Sequence, residues 1–457
     1  MMARRLTAVA KEVRGQLVGA DSEFGGVGVD TRHLARGSLF VAIRGPHFDG
    51  NDFVVDAYEK GAAGALVSRV AEVPLAQVRV RDTRRALGGM AAAWRCSFRL
   101  PVVAVTGSNG KTTVKELIAG ILRVRRHVCV TQGNLNNDIG LPLTLMELDA
   151  GHEALVVELG ANHAGEIDYL SGLARPTIGV ITNASASHLA GFGSLAGVAA
   201  AKGELLDHLP RAGTAVLNAD DAFCSEWRAR ARAQSVFTYG FAASADCTVV
   251  GQPAFEAGAA RFRMRLAGGE TVDVALPLLG RHNVANALAA AAAAEAAGTS
   301  PEDIVLGLAR ARAVHGRMQS VRLGSVAALI DDTYNANPAS VRSALDYLSG
   351  LPGKRVLVLG EMAELGAEAA ALHRQIGEYA RDRCDVLIGV GALARHSAEG
   401  FGAKALSVAD VAAALRAVEP LVSSETTILV KGSRVAGLDR LVRLLSGAGD
   451  VAAGGQC

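Results

Sequence analysis

The chain has 457 residues, of which 50% are apolar and 20% charged, and its formal net charge is +2. That length exceeds what one hydrophobic core ordinarily serves, and the composition excludes a disordered chain. The near-neutral balance gives no electrostatic case for nucleic acid or an anionic membrane as partner, so any anionic substrate must be held by local groups.

The opening MMARRLTAVAKEVRG carries basic residues without a continuous apolar segment, and it does not read as a signal peptide. Residues 1–98 form a first, small αβ unit. SLFVAI (Ser38–Ile43) and GALVSRV (Gly64–Val70) are strand candidates, AYEKGA reads as a helix end with a glycine stop, and TRRALGGMAAAWR has helical composition.

A central unit, residues 99–312, alternates apolar runs with helical segments: PVVAVTG and TTVKELIAGILRV, EALVVELG, TIGVITN and SLAGVAAAKGELLDHL, TAVLNAD and DAFCSEWRARARA. Continuous apolar strands between helices predict a mostly parallel sheet covered on both faces. CTVVGQ, ARFRMRLAG and TVDVALPLLG then alternate in pairs and predict an antiparallel insertion. Ala285 to Ala297 is nearly all alanine, interrupted by Asn286 and Glu295. It falls short of the ~20 apolar residues that cross a bilayer, so it predicts a buried helix and no stable membrane insertion. Ser300-Pro301-Glu302-Asp303 opens another helix with a serine cap.

The final unit, residues 313–457, holds VAALIDDTYNANP, KRVLVLGEM, CDVLIGVG, AKALSV and ETTILVKGSR as strand candidates, separated by helices such as PASVRSALDYL and VAAALRAV. It predicts a doubly wound, Rossmann-like parallel sheet. The fold class is therefore α/β in three domains. Cys96, Cys129, Cys224, Cys247, Cys384 and Cys457 are scattered without a CxxC pair, which fits a reducing cytoplasm rather than zinc or a disulfide framework. No coiled-coil pattern demands a dimer, and a monomer is expected.

The sharpest local signal is the run from Val102 to Thr113, VVAVTGSNGKTT. An apolar strand enters a tight turn and leaves into a helix. The segment Thr106, Gly107, Ser108, Asn109, Gly110, Lys111, Thr112 and Thr113 can therefore curl backbone amides around phosphate oxygens. Lys111 is placed to bridge the β- and γ-phosphates and Thr112 to reach Mg²⁺. The spacing Gly107-x-x-Gly110-Lys-Thr is shorter than GxxxxGK[ST], which points away from ordinary motor and switch ATPases. Glu158 and His188 each follow an apolar strand, where ligands bind in open αβ sheets.

TGSNGKTT resembles the shortened phosphate loop of the Mur ligases, which extend the peptidoglycan stem peptide. The resemblance runs from VDTR near the start to KGSR near the end. GNLNNDIGLP (133–142), ELGANHAGEI (158–167), HLAGFGS (188–194), DDTYNANP (331–338), LGEMAELG (359–366) and LVKGSR (429–434) are similar, within that family, to the members that add D-alanyl-D-alanine. The resemblance implies a central P-loop ATPase domain between a UDP-substrate domain and a C-terminal domain that closes over ATP and binds the incoming dipeptide. It also implies ATP-dependent ligation of D-alanyl-D-alanine to UDP-N-acetylmuramoyl-tripeptide through an acyl phosphate, with Mg²⁺ as cofactor.

Residue by residue, it implies that Thr112, Glu158, His188 and Lys202 serve the metal, with Lys202 carbamylated. By residue type alone, Lys202 reads as a solvent-facing lysine on an amphipathic helix. Asn283 and Asn286 in RHNVAN match the adenine side, although Asn283 near a helix start also reads as a cap. Arg317 and Asp332 match groups that engage phosphates and ribose. Asn134, Asn136 and Asn137 suit a polar cradle for substrate. Asn335 and Asn337 shape the dipeptide pocket, and Lys431 and Arg434 steer a carboxylate or developing phosphate charge. Asp30, Thr31 and Arg32 match the UDP-binding surface.

Two departures stand out. Ala190 replaces the acid usual after His-Leu, and Asp49-Gly50-Asn51-Asp52-Phe53 lacks the histidine of DGHxF. Asn335-Ala336-Asn337-Pro338 stands where the diamino-acid-adding enzymes carry DNPR, and the UDP-type first unit argues against a folate ligase. A nucleotide-sensing module would have no need of Glu158, His188 and Lys202 together.

Overall fold

The computed structural model describes residues 3–233, 235–256, 258–321 and 328–447; Cys457 and the leading Val326 and Ala327 of VAALIDD lie outside them. Among the described residues three large sheets follow one another along the chain, beside a two-stranded pair formed by Arg4–Arg5 and Glu23–Phe24. The first has five strands in the order Gln16–Val18, Gln77–Arg79, Gly64–Val67, Ser38–Val41, Gly26–Gly28, all parallel except the first. Gly64–Val67 ends earlier than the expected GALVSRV because the amides of Ser68 and Arg69 turn to the Asn51 side-chain oxygen, at 3.0 and 3.2 Å. The helix Val54–Glu59 stops at Lys60, and Gly61 follows at φ +79°, as AYEKGA predicts.

The central sheet has nine strands in the order Thr271–Leu276, Ala259–Arg265, Cys247–Glu256, Ser235–Gly240, Thr214–Asn218, Ile178–Ile181, Val102–Thr106, Ala154–Glu158, Val128–Val130. Six neighbouring pairs are parallel, and the two hairpin pairs at one edge are antiparallel. The predicted antiparallel segment is thus an extension of the parallel sheet rather than a separate layer.

Alternation along Val102–Thr106 sends residues to two different cores. Val103 and Val105 pack with the alanine-rich helix Arg281–Ala296, in which Ala287 to Ala294 contains only buried residues. A helix buried on every side needs small side chains to let its neighbours approach. Val102 and Ala104 face the opposite way and share a core with Leu39, Leu66, Leu87, Met90 and Trp94 of the N-terminal unit. The helix Thr83–Arg95 is tied down further by Trp94 Nε1 donating to the Leu148 carbonyl at 3.1 Å and Arg95 Nε to that of Ala174 at 3.0 Å. The first two units therefore meet through apolar packing rather than across a polar seam.

The third sheet runs Gln319–Val321, Ala328–Asp332, Thr426–Lys431, Lys354–Gly360, Val386–Val390, Ala405–Val408 and is parallel apart from its first strand. Among the described residues no helix is long and apolar enough to cross a membrane.

Candidate active site

Register places the site. Glu158 pairs with Val105, and Ile181 with Thr106, so three neighbouring parallel strands end together at one edge of the central sheet. The chain leaves those ends as the turn 107–110, the turn after Leu159 and the segment 182–188. Gly107 at φ +142° lies so close to the neighbouring segment that an added Cβ would meet Thr182 Oγ1 at 1.9 Å. Gly110 at φ +82° ends the turn, and a Cβ there would sit 2.5 Å from Asn286 Oδ1. Glycine is required at both positions.

The turn is braced from the side. Thr182 Oγ1 donates to the Asn109 carbonyl at 2.6 Å, Asn109 N donates to Asn183 Oδ1 at 3.1 Å, and Asn109 Nδ2 donates to Ser185 Oγ at 2.8 Å. Lys111 Nζ donates to the carbonyls of Gly107 at 2.8 Å and Ser108 at 3.3 Å. Burial, reinforced by Arg317 and opposed by Glu158, holds the Lys111 ammonium below its ordinary pKa.

Thr112 is the hub. Its hydroxyl donates to Glu158 Oε2 at 2.7 Å and accepts from Arg317 Nη2 at 2.9 Å. Glu158 is 2% exposed, and its other oxygen accepts from Asn136 Nδ2 at 2.7 Å. Arg317 comes from the C-terminal part of the chain, lies 4.1 Å over the Tyr334 ring, and keeps a buried Nε without a hydrogen-bond partner among the described residues. A second link between the two parts is Asn337 Nδ2 donating to Asn109 Oδ1 at 2.7 Å.

These groups open on one cavity of ≈ 1120 Å³. Its wall includes Ser108, Asn109, Gly110, Lys111, Thr113, Asn134, Asn136, Asn137, Glu158, His188, Asn283, Asn286, Arg317, Asp332, Asn335, Asn337 and Lys431. Thr106 and Thr112 lie beneath it, both buried.

His188 has a left-handed backbone, φ +52°, and its Nδ1 touches Glu364, itself at φ +63°. Burial lowers the His188 pKa, against the pull of Glu364 and with the push of Lys111 and Lys202. Lys202 is 2% exposed, not solvent-facing: its Nζ lies 5.0 Å over the Phe192 ring and within 3.5 Å of the Ala161 carbonyl. Burial first, then Lys111, brings its pKa down to about 7.

Several sequence expectations are revised. Asn283 is not a cap, because Gly280 holds that position; Asn283 Nδ2 instead donates to the Leu279 carbonyl at 2.7 Å, and its Oδ1 accepts from Asn286 at 2.9 Å. Asn137 Oδ1 accepts from the Ile139 and Gly140 amides and so braces its own loop, while Asn134 is exposed. Lys431, on the cavity wall, is 2% exposed, and its Nζ donates to Asp332 Oδ2 at 2.6 Å and to the Asn335 carbonyl at 2.9 Å. The other Asp332 oxygen accepts from the Met318 amide at 3.1 Å. Asn337 caps the helix Pro338–Ser349 in a reciprocal box with Ser340. Arg434 is exposed and does not line the cavity. Asp30, Thr31 and Arg32 lie on the N-terminal unit away from the cavity wall, with Asp30 and Arg32 paired at 2.7 Å.

Sequence reasoning missed Thr182, Asn183 and Ser185, although TIGVITN predicts a strand ending at this edge. It also missed half-buried His282 and the Arg84–Arg85 pair, all on the cavity wall. No local pattern marks them, because their partners lie far away in sequence.

Comparisons with known proteins cover nearly all of the chain. Residues 23–95 match the Mur ligase family catalytic domain, 105–294 the Mur ligase middle domain, and 316–434 the Mur ligase glutamate ligase domain. The UDP-N-acetylmuramoyl-tripeptide--D-alanyl-D-alanine ligase of Escherichia coli K12 is 43% identical over 97% of this chain and 99% of its own length. A crystal structure of MurF from Acinetobacter baumannii superposes with a TM-score of 0.92 at 34% identity, over 98% of this chain and 99% of that one. MurF from Thermotoga maritima, solved in complex with ADP, superposes with a TM-score of 0.83 at 25% identity, over 92% and 97%. Taken with the braced, shortened phosphate loop, these matches show that the chain belongs to the Mur ligase family.

Proposed function

We propose that this chain joins D-alanyl-D-alanine to UDP-N-acetylmuramoyl-tripeptide at the expense of ATP, giving the pentapeptide precursor, ADP and phosphate. The carrying observation is Thr112, a phosphate-loop hydroxyl held between the Glu158 carboxylate and the Arg317 guanidinium of a different part of the chain. Residues 1–98 take the UDP end, residues 99–312 take ATP, and residues 313–457 bring Arg317 and Asp332 to the nucleotide and Asn335 and Asn337 to the dipeptide side.

In this reading the tripeptide's terminal carboxylate attacks the γ-phosphorus, and the bond to ADP breaks. The dipeptide amine then attacks the activated carbonyl carbon, and phosphate leaves as the nitrogen loses its proton. The chain's contribution is to gather anions and neutralise them in place. The loop amides and Lys111 receive phosphate oxygens, and the orphaned Arg317 Nε is a buried donor that such an oxygen would satisfy. Asn136 orients Glu158, and Asn286 with Asn283 faces the base.

The donor set fits Mg²⁺ in its oxygen ligands, the Thr112 hydroxyl and Glu158 carboxylate, while burial keeps the His188 imidazole neutral enough to donate a lone pair. Bound there, Mg²⁺ would supply positive charge to offset the phosphate and carboxylate anions that must meet in the site. Lys202 serves as a carbamate: its amine nitrogen adds to the carbon of CO₂ and releases a proton, turning a buried cation into a carboxylate-like ligand. A pKa of about 7 favours that addition at neutral pH. We place the chain in the cytoplasm as a monomer, acting on soluble nucleotide-linked substrates.

The test is phosphate release with ATP, Mg²⁺ and the UDP-muramoyl-tripeptide, adding D-alanyl-D-alanine or single amino acids in turn. Amide product is expected with the dipeptide. Turnover that prefers glutamate or a diamino acid as donor refutes the assignment.

A further inference from the structure

The cavity extends beyond the phosphate loop to a mixed-charge wall that the reaction just described does not use. Arg84 and Arg85 enter it from the start of the helix Thr83–Arg95, and Asp138 enters it from the loop after the asparagines. Arg84 Nη1 faces Asp138 Oδ2 at 3.3 Å, and both side chains remain partly exposed. Arg85 lies 4.9 Å over the Tyr169 ring, which also lines the cavity. Asp82 also lines the cavity, and its Oδ1 accepts from the Arg84 and Arg85 amides at 2.9 and 3.0 Å, which caps the helix.

We propose that Arg84, Arg85 and Asp138 form a subsite for the far end of the acceptor's last side chain, and that this end is zwitterionic, carrying both a carboxylate and an ammonium as diaminopimelate does. The inference rests on the reading that a muramoyl peptide reacts through its terminal carboxylate beside Glu158. Asp138 is two residues beyond Asn136, whose amide holds Glu158, so the Cα atoms of Asn136 and Asp138 lie at most ~7 Å apart. A short aliphatic spacer bridges such a gap, with the Tyr169 ring as its apolar floor.

The Arg84–Asp138 pair matches a zwitterion in both signs. An exposed ion pair of this kind contributes little to stability, so exchanging its partners costs little. The incoming carboxylate takes the guanidinium, and the incoming ammonium takes Asp138. A lysine-type end, with an ammonium alone, competes with Arg84 for Asp138 and brings two cations together, which is discrimination by repulsion as well as attraction.

The experiment measures kcat/KM of the full chain with ATP, Mg²⁺ and D-alanyl-D-alanine, for UDP-muramoyl-tripeptides ending in meso-diaminopimelate or in lysine. The wild type should prefer the diaminopimelate acceptor. Arg84→Ala should lower kcat/KM for that acceptor about tenfold to a hundredfold, the span of one charge-assisted hydrogen bond, and erase the preference while the KM for ATP holds. Arg84→Glu should turn the preference towards lysine. A wild type that does not discriminate or prefers lysine overturns the proposal, as does an equal loss for both acceptors in Arg84→Ala. Absence of turnover with either acceptor in the wild type defeats the assigned reaction, and the subsite with it, a result distinct from lost discrimination.

Discussion

Depleting dissolved carbon dioxide should switch this enzyme down, and readmitting it should restore turnover, because the group at stake is the Lys202 amine. An ordinary lysine, with a pKa near ~10.4, is neutral in about one molecule in a thousand at pH 7.4. Burial, reinforced by the Lys111 charge, brings Lys202 to about 7. At that value about 70% of the molecules carry a free amine at the same pH, roughly a several-hundredfold gain in the form that attacks CO₂. Stripping CO₂ at pH 7.4 should therefore cost on the order of 10- to 100-fold in phosphate release, the usual loss when support for a metal site is removed. Bicarbonate should reverse it, intact mass should show the gain of one CO₂, and Lys202→Ala should recover part of its activity with a small carboxylic acid. At limiting CO₂, activity should fall as pH drops through about 7, where the amine gains its proton. Stability follows the same group. Its folded pKa lies below the unfolded one, so between pH 7 and the ordinary lysine value the unfolded chain binds more protons, and stability rises with pH relative to Lys202→Met. Full activity in CO₂-free buffer, or in unrescued Lys202→Ala, would refute the reasoning.

Three further substitutions probe the frame. Gly107→Ala forces a Cβ to within 1.9 Å of Thr182 Oγ1 at a positive φ, so it should cost about 1–3 kcal/mol in thermal unfolding and raise the KM for ATP. Asp332→Asn leaves the buried Lys431 ammonium without its carboxylate and should cost about 3–5 kcal/mol by denaturant titration, whereas replacing both residues with apolar ones should cost far less. Asn337→Ala removes a helix cap worth about 1 kcal/mol together with the contact to Asn109; Asn337→Ser should keep the cap and still weaken ATP binding by calorimetry.

The three sheets were legible because each parallel strand, buried on both faces, spells an unbroken apolar run: VVAVT, ALVVE and TTILVK all fall where expected. Short strands escaped. VCV (128–130) is three residues long, and SVFTYG (235–240) mixes polar residues into a strand only partly buried along its first half. The phosphate loop was legible because its glycines answer to local backbone geometry. The fate of charged side chains was not. Lys202 looks like a surface residue in sequence and Lys431 like a free cation at a strand end, and only the packing of distant segments shows one stripped of water near Lys111 and the other locked to Asp332. The same holds for Arg434, whose position after a strand end promised a role that its exposure outside the cavity does not support.

One hydroxyl explains why the site needs more than the central sheet. A threonine oxygen has one proton to give and two lone pairs. At Thr112 the proton goes to Glu158 and one lone pair to Arg317, so the oxygen retains a single lone pair. The central sheet alone would leave an anion, Glu158, under the phosphate loop with Asn136 as its only other side-chain donor among the described residues. Arg317 brings the opposite charge from a segment beyond the alanine-rich helix, and Asn337 fixes that segment against Asn109 of the same loop. Both connections run to residues of the phosphate loop itself, so anything that moves the C-terminal sheet moves the groups that would meet the nucleotide. Charge balance at the γ-phosphate is thus a property of how two sheets are docked, and neither sheet carries it alone.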